Sequence, residues 1–287
     1  MNDSAKTTTT NGVNKMQHDT TTTTPDLTTY DRIIINSSAG KDSQAMLDHV
    51  YRLANQAGVL DALIVVHADL GRVEWKGTAK LAKRQAEIYG LRFEKISRPQ
   101  GDLLDHVEAR GMWPSSTARY CTSDHKRDQI AKIITKITHE VKATGVQNVR
   151  VLNCLGLRAD ESPARAKRES YLANKRLCNN TRTVHEWLPI HDWTQEKVWA
   201  RIHESGVPYH TAYDKGMPRL SCVFCIFAPK AALEIAGRHN PELLDEYVRI
   251  EKKIGHTFKA DMAIAEIKDA IENGTTTNAD LHAAWNM

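Results

Sequence analysis

A chain of 287 residues with 41% hydrophobic and 26% charged side chains carries enough apolar mass for one sizeable α/β core and a smaller appendage. Its 39 basic and 35 acidic residues leave a formal charge of +4, which says little by itself. No apolar run approaches the length that spans a bilayer, so a membrane partner is not expected. The N-terminus lacks an apolar signal-peptide core, which leaves the cytoplasm as the expected compartment.

Residues 1–28 are rich in Thr, Asn and Asp and are expected to form a disordered tail. Folding should begin near Leu27 or Tyr30. Ile33-Ile34-Ile35 reads as a buried strand, stopped by the small polar turn Asn36-Ser37-Ser38-Ala39-Gly40. Gly40 is free to take a backbone angle that other residues resist. Asp42 or Ser43 then caps a helix bearing Ala45, Met46, Leu47, Val50, Tyr51 and Ala54. Such a turn aims free amides above the strand, which is how a protein holds a phosphate. The first glycine of a Walker A loop and the Gly-x-Gly-x-x-Gly fingerprint are both absent.

Ala62 to His67 forms a second continuous apolar strand, and strand–helix–strand cadence implies a parallel sheet. Asp69 follows at its C-terminal end, placed either to face a ligand or to shape the turn. A helix over residues 75–89, a strand around Leu91, Phe93 and Ile96, and a short helix from Asp102 to Arg110 come next. Ile130, Ile133, Ile134, Ile137 and Val141 mark the most amphipathic helix. Cys121 lies just ahead of it, between Arg119 and Lys126, where a helix N-terminus favours a thiolate. Val149 to Leu155 is a fourth strand, left through Gly156-Leu157-Arg158-Ala159-Asp160-Glu161-Ser162. Arg158, Arg165, Lys167, Arg168, Lys175, Arg176 and Arg182 form a basic segment suited to nucleotide phosphates or a nucleic acid, or to plain solvation. His185 to Ile190 reads as a short strand or connector, and Thr194 caps a helix ended by Gly206. Helices over residues 229–237, 241–255 and 261–273 close the fold, with 274–287 expected to fray.

Five cysteines stand at 121, 154, 178, 222 and 225. An odd count in a reducing compartment argues against a disulfide framework and for metal or catalysis. Cys222-x-x-Cys225 can grip one metal or cluster. Cys121 makes a third ligand, and Cys178 or a histidine a fourth; Cys154 is core filler. Apolar Val223, Phe224, Ile226 and Phe227 suit an iron–sulfur cluster, with zinc as the alternative. His67, His125, His185 and His210 are most simply surface or hydrogen-bonded residues.

Ser38-x-Gly40-x-Asp42-Ser43, Asp69, Arg119-x-Cys121 before Lys126, Gly156-x-Arg158-x-Asp160-Glu161-Ser162-x-x-Arg165 and Arg219-x-x-Cys222-x-x-Cys225 occur in one order. That order resembles the phosphoadenylylsulfate (PAPS) reductase-like family of PP-loop ATP-pyrophosphatases, over roughly residues 30–255. The resemblance implies an open, mostly parallel sheet flanked by helices, of the Rossmann-like adenine nucleotide alpha hydrolase type. It divides the chain into a nucleotide-binding core (29–169) and a cysteine-containing helical region (170–273) that completes the domain.

By the same resemblance, Ser38, Gly40, Asp42 and Ser43 cradle the pyrophosphate of ATP or of an adenylylated nucleotide such as PAPS. Lys41 adds a point charge, Asp69 borders the nucleotide, and Arg158 and Arg165 grip phosphate or sulfate. Lys41, Asp42, Arg158 and Arg165 are the catalytic candidates, with Mg²⁺ on the leaving phosphates. Asp160 and Glu161 orient the arginines or a Mg²⁺. Cys121, Cys222, Cys225 and Cys178 are the candidate ligands of a [4Fe-4S] cluster or zinc.

Cys121-Thr122 stands where cluster-bearing adenylylsulfate reductases have adjacent cysteines, and no cysteine follows Cys225 in this sequence. The pattern therefore looks more like the sulfurtransferase branch, which includes phage and bacterial members and the DNA-phosphorothioation component. That branch implies a DNA or tRNA acceptor and a sulfur donor such as a cysteine desulfurase. A thiol-dependent PAPS or adenylylsulfate reductase is the first alternative, and a zinc-stapled, non-catalytic nucleic-acid binder the second.

Overall fold

Ile33, Ile34 and Ile35 in strand β1 (Arg32–Asn36) are wholly buried in the computed structural model, which describes residues 24–275. Adjacent residues of a strand point to opposite faces, so such a run must lie inside the sheet with helices on both sides. β1 pairs in parallel with β2 (Leu63–Asp69) on one flank and with β4 (Val149–Cys154) on the other. β3 (Arg92–Ser97) adds to β2 and β6 (Arg182–Trp187) to β4, both parallel, while β5 (Tyr171–Ala173) closes one edge antiparallel to β6. The order is β3-β2-β1-β4-β6-β5. The chain winds outward in opposite directions from β1 and β4, and the carboxyl ends of strands at such a reversal open a ligand crevice.

Helices α1 (Lys41–Gln56), α2 (Thr78–Ile88) and α7 (Gln195–Ser205) cover one face. There Met46, Leu47, Val50, Ala86, Val198 and Ile202 pack with Ile33, Ile35 and Val65. Helix α5 (Asp128–Lys142) covers the other, setting Ile130, Ile133, Ile134, Ile137 and Val141 against Ile34, Ile64, Val66 and Val151. One turn, α4 (Tyr120–Thr122), runs through a π-helical turn at Ser123–Arg127 into α5. A third cluster gathers α3 (Leu103–Arg110), α8 (Lys230–His239), α9 (Pro241–Ile254) and α10 (Ile264–Glu272) around Trp113, Tyr247 and Phe258. Among the described residues, no helix is long and apolar enough to cross a membrane.

Several expectations shift. The sheet does not stop at residue 169, because β5 and β6 from the following segment hydrogen-bond into it. Strand β5 spans three residues, too few to show a period, and was not expected. Gly40 caps α1 through its backbone in place of Asp42 or Ser43, which lie inside the helix. Its φ is an ordinary −78°, while Ala39 takes the left-handed φ of 56°. At the N-terminal end, Asp26 caps a turn at Leu27–Thr29, and Leu27 and Tyr30 are buried. The rest of the threonine-rich segment and residues 276–287 lie outside the described residues.

Truncating Ile34, buried among β2, β4 and α5, leaves a cavity that neither neighbouring strand can fill. Ile34→Ala is expected to lower the unfolding free energy by about 3 kcal/mol, read as a shift of the urea midpoint at unchanged slope.

Candidate functional site

The turn after β1 is held by its own serines. Ser43 Oγ accepts the Ser38 N–H at 3.1 Å and donates to the Gly40 carbonyl at 2.9 Å. Ala39 N–H donates to Ser37 Oγ at 3.2 Å. The first helical hydrogen bond is Gln44 N–H to the Gly40 carbonyl, so the amides of Lys41, Asp42 and Ser43 have no acceptor within α1. Lys41 N–H goes to the Tyr213 hydroxyl at 2.7 Å. A Cβ on Gly40 would stand 3.2 Å from Ser38 Oγ and 3.4 Å from that hydroxyl, so close approach is what calls for glycine here. Gly156, at the exit of β4, presses equally closely: a Cβ there would meet the Ser43 Cα and N at 3.1 Å.

Four charges lie behind this loop. Asp42 accepts from Arg158 Nε at 2.6 Å and lies 3.3 Å from Lys41 Nζ, which also donates to the Pro218 carbonyl. The buried Arg158 guanidinium bonds Asp160 and the Trp193 carbonyl as well. Burial opposes the charge on Asp42, but Lys41 and Arg158 outweigh it and hold its carboxyl below the usual range. Burial likewise pulls the Lys41 ammonium below its ordinary value. Lys41 and Arg158 thus fasten the loop from behind, in place of the phosphate-gripping roles expected of them. Glu161 faces the crevice side, its carboxylate, nearly sealed from solvent, shared between Arg165 and Arg219. Arg219 and Tyr213 were not singled out as site residues, although Arg219 opens the Arg-x-x-Cys-x-x-Cys pattern.

A cavity of about 350 Å³ runs from the loop to the cysteines. Ser38, Gly40, Asp42 and Ser43 line one end, Arg165, Arg219 and Tyr213 its side, and Cys121, Cys222 and Cys225 the other end beside Phe224 and Phe227. Burial pushes the Cys222 and Cys225 thiols up, against the pull of Lys126. The three sulfurs do not all lie within 4.8 Å of one another, a spacing that His67, Asp69 and Glu74 alone meet among the described residues. The three thiols are soft donors in apolar walls, a lining that suits a thiolate-held metal or cluster.

Cys178 does not join them. Its Sγ accepts the Val184 N–H at 3.3 Å and faces the Val184 carbonyl at 3.5 Å, packed with the α5 cluster. Cys154 is buried at the end of β4, as expected. Asp69 shapes its turn: it accepts from Gly71 N–H at 2.8 Å and pairs with Lys95 at 2.9 Å, off the loop cavity. Most of the basic segment is internally engaged, with Arg168 on Glu186, Arg176 on Asp128 and Arg182 on the Leu177 carbonyl. His67, His125 and His210 are buried; His67 bridges the Ser37 carbonyl at 2.8 Å and Glu74 at 3.1 Å.

A second cavity, about 460 Å³, opens over the carboxyl ends of β1, β2, β4 and β6. It is lined by Ser37, Val66, His67, Asn153, Leu177 and Glu186, and shares Asn36, Ser38, Lys126 and Leu155 with the first. The two form one crevice: a mixed polar and apolar chamber, then the amide-rich loop, then the cysteines.

A sequence model of the phosphoadenosine phosphosulfate reductase domain matches residues 32–228. The chain belongs to that family. A protein of Escherichia phage 186 is 32% identical over 52% of this chain and 42% of its own length. One from Methanocaldococcus jannaschii is 29% identical over 76% of this chain and 47% of its own. An adenosine 5'-phosphosulfate reductase of Allochromatium vinosum is 28% identical over 61% and 64%. The chain thus spans about half the length of the first two. Among solved structures, the PAPS reductase of Candida auris aligns with a TM-score of 0.43 at 16% identity, over 68% of this chain and 83% of that one.

Two predictions follow from the buried charges. Glu161→Ala leaves two half-buried guanidiniums without their shared carboxylate, and should cost about 3 kcal/mol of unfolding free energy, read in denaturant. His125, buried and 3.1 Å from His106, is pulled down to about 4 by burial and by that neighbour. Below pH 6.5 the unfolded chain binds a proton that the folded one refuses until about pH 4. Stability should therefore fall as pH drops through this window, by about 3 kcal/mol, and His125→Gln should flatten that part of the profile.

Proposed function

We propose that this chain is a nucleotide-dependent sulfur-transfer enzyme that adenylylates an acceptor and replaces the adenylyl group with sulfur. The observation that carries this reading is the single cavity joining the loop residues Ser38, Gly40 and Ser43 to Cys121, Cys222 and Cys225. Nucleotide and sulfur chemistry then share one crevice.

The adenosine of ATP would lie in the chamber over the strand ends, with its phosphates on the loop. An acceptor oxygen attacks the α-phosphorus, and the bond to pyrophosphate breaks with its electron pair leaving on pyrophosphate. The amides of Asp42 and Ser43 and the guanidiniums of Arg165 and Arg219 stabilise the charge that gathers on the phosphoryl oxygens. Mg²⁺ carried by the phosphates would supply further charge neutralisation there. A sulfur nucleophile then attacks the acceptor atom that carries the adenylylated oxygen, and AMP departs with the electron pair of the bond between that atom and oxygen. Asp42, its charge held by Lys41 and Arg158, keeps the loop in place and is not a base. Cys121, Cys222 and Cys225 would hold a [4Fe-4S] cluster, which when bound supplies a soft iron able to bind sulfur. A sulfur-donor protein and a nucleic-acid acceptor, DNA or tRNA, are the partners this reading calls for.

A reductase that cleaves adenylylsulfate with thiols is the second reading, favoured by the similarity to the Allochromatium reductase. Anaerobic purification with iron, sulfide and zinc analysis separates the two when joined to product assays. Wild type is expected to contain iron and sulfide and to form AMP and pyrophosphate from ATP when sulfide and acceptor are supplied. Cys222→Ala should lose most of its iron and the transfer. Sulfite released from adenylylsulfate with a thiol, without ATP turnover, would replace this reading by the second; one zinc and neither activity would overturn both.

A further inference from the structure

Tyr213 lies 172 residues beyond Lys41 and yet receives its amide proton, at 2.7 Å. The backbone of Leu220 comes near the same phenol, so the hydroxyl lies between two main-chain segments. One is the first turn of α1. The other opens the Arg219-x-x-Cys222-x-x-Cys225 loop. Lys41 Nζ on the Pro218 carbonyl, at 3.3 Å, ties the same two segments a second time.

A phenol has one proton to donate as well as lone pairs to accept with. The Tyr213 phenol accepts from the Lys41 amide, and no acceptor for its own O–H is found among the described residues. The oxygen lines the loop cavity, against Gly40 and beside Ser38 and Ser43. Its O–H is therefore available to a group in that cavity. A half-buried donor beside orphaned helix amides suits an anionic oxygen.

We propose that the Tyr213 hydroxyl donates to a phosphate oxygen of the nucleotide bound at the loop, while its oxygen fastens that loop beside the cysteine-bearing segment. This assignment rests on the nucleotide reading above and adds to it a binding residue that belongs to neither the loop nor the arginines. Tyr213 contacts the phosphate end alone, so its loss should not be felt by adenosine, which binds over the strand ends. The aromatic ring packs edge-on against Trp199 at 5.0 Å, and a phenylalanine keeps that contact.

The test is Tyr213→Phe in the full chain, with calorimetric titration of ATP, inorganic pyrophosphate and adenosine, and a urea midpoint as control. Loss of one hydrogen bond to a charged oxygen should weaken ATP and pyrophosphate about tenfold, leaving adenosine affinity within about twofold. Equal affinities for all three ligands in wild type and variant would overturn the assignment while leaving the nucleotide reading intact. Equal weakening of all three would overturn it too, since that marks a general loosening of the crevice. Wild type that binds neither ATP nor pyrophosphate would defeat this assignment and the nucleotide reading together. The selective loss without any sulfur transfer would uphold Tyr213 and defeat the transfer reading alone.

Discussion

Three consecutive isoleucines can be hidden on both faces only in the interior of a sheet, and this constraint places everything else. With β1 between β2 and β4, the chain must leave the sheet at the point where winding reverses. Helix α1 therefore starts directly above the crevice, and its first amides have nothing of their own to bond. Gly156, leaving β4, allows the neighbouring strand to press against the Ser43 backbone. Any side chain there would lever α1 away from the strand ends and move the amides with it. The site is thus a consequence of where the core must go.

Charge is handled differently on the two sides of the loop. Behind it, Lys41, Asp42 and Arg158 pair closely where water is scarce, with Asp160 at the exposed end, and such buried groups are costly to leave unmatched. Their tight engagement makes them scaffold, despite residue types that suggest chemistry. On the crevice side, Glu161 draws Arg165 from a short turn and Arg219 from the cysteine loop to one carboxylate. Two segments distant in sequence are so held at one wall of the cavity, their guanidiniums oriented before any ligand arrives.

The strands, the α5 amphipathic face and the loop were legible because each is written in neighbouring residues: an apolar run, a spacing of three and four, a string of small polar residues. Cys121 with Cys222 and Cys225 was legible from its order in the family pattern, and the cavity brings the three to one end. What failed depended on distant partners. Asp69 reads as a ligand until Lys95, on the adjacent strand, claims one oxygen. Cys178 reads as a fourth sulfur ligand until the Val184 backbone occupies it. Arg158 reads as a phosphate clamp until Asp42, 116 positions earlier, is found on it. At the turn itself, local reasoning chose the wrong residue for the unusual angle: Ala39 takes it, and Gly40 is needed for the space between Ser38 and Tyr213.

Tyr213 shows why the two ends of the cavity should not be treated as independent. An amide of α1 bonds the Tyr213 oxygen where the backbone ahead of Cys222 comes near, with Lys41 spanning the same gap through Pro218. A nucleotide that takes the phenol proton would polarise the hydroxyl and strengthen its bond to that amide, since hydrogen bonds in series reinforce one another. The cysteine loop would then be held more firmly when the phosphate end is filled. For the two-stage reaction proposed above that arrangement would have a direct use, because sulfur should meet the acceptor only after the adenylyl group is in place.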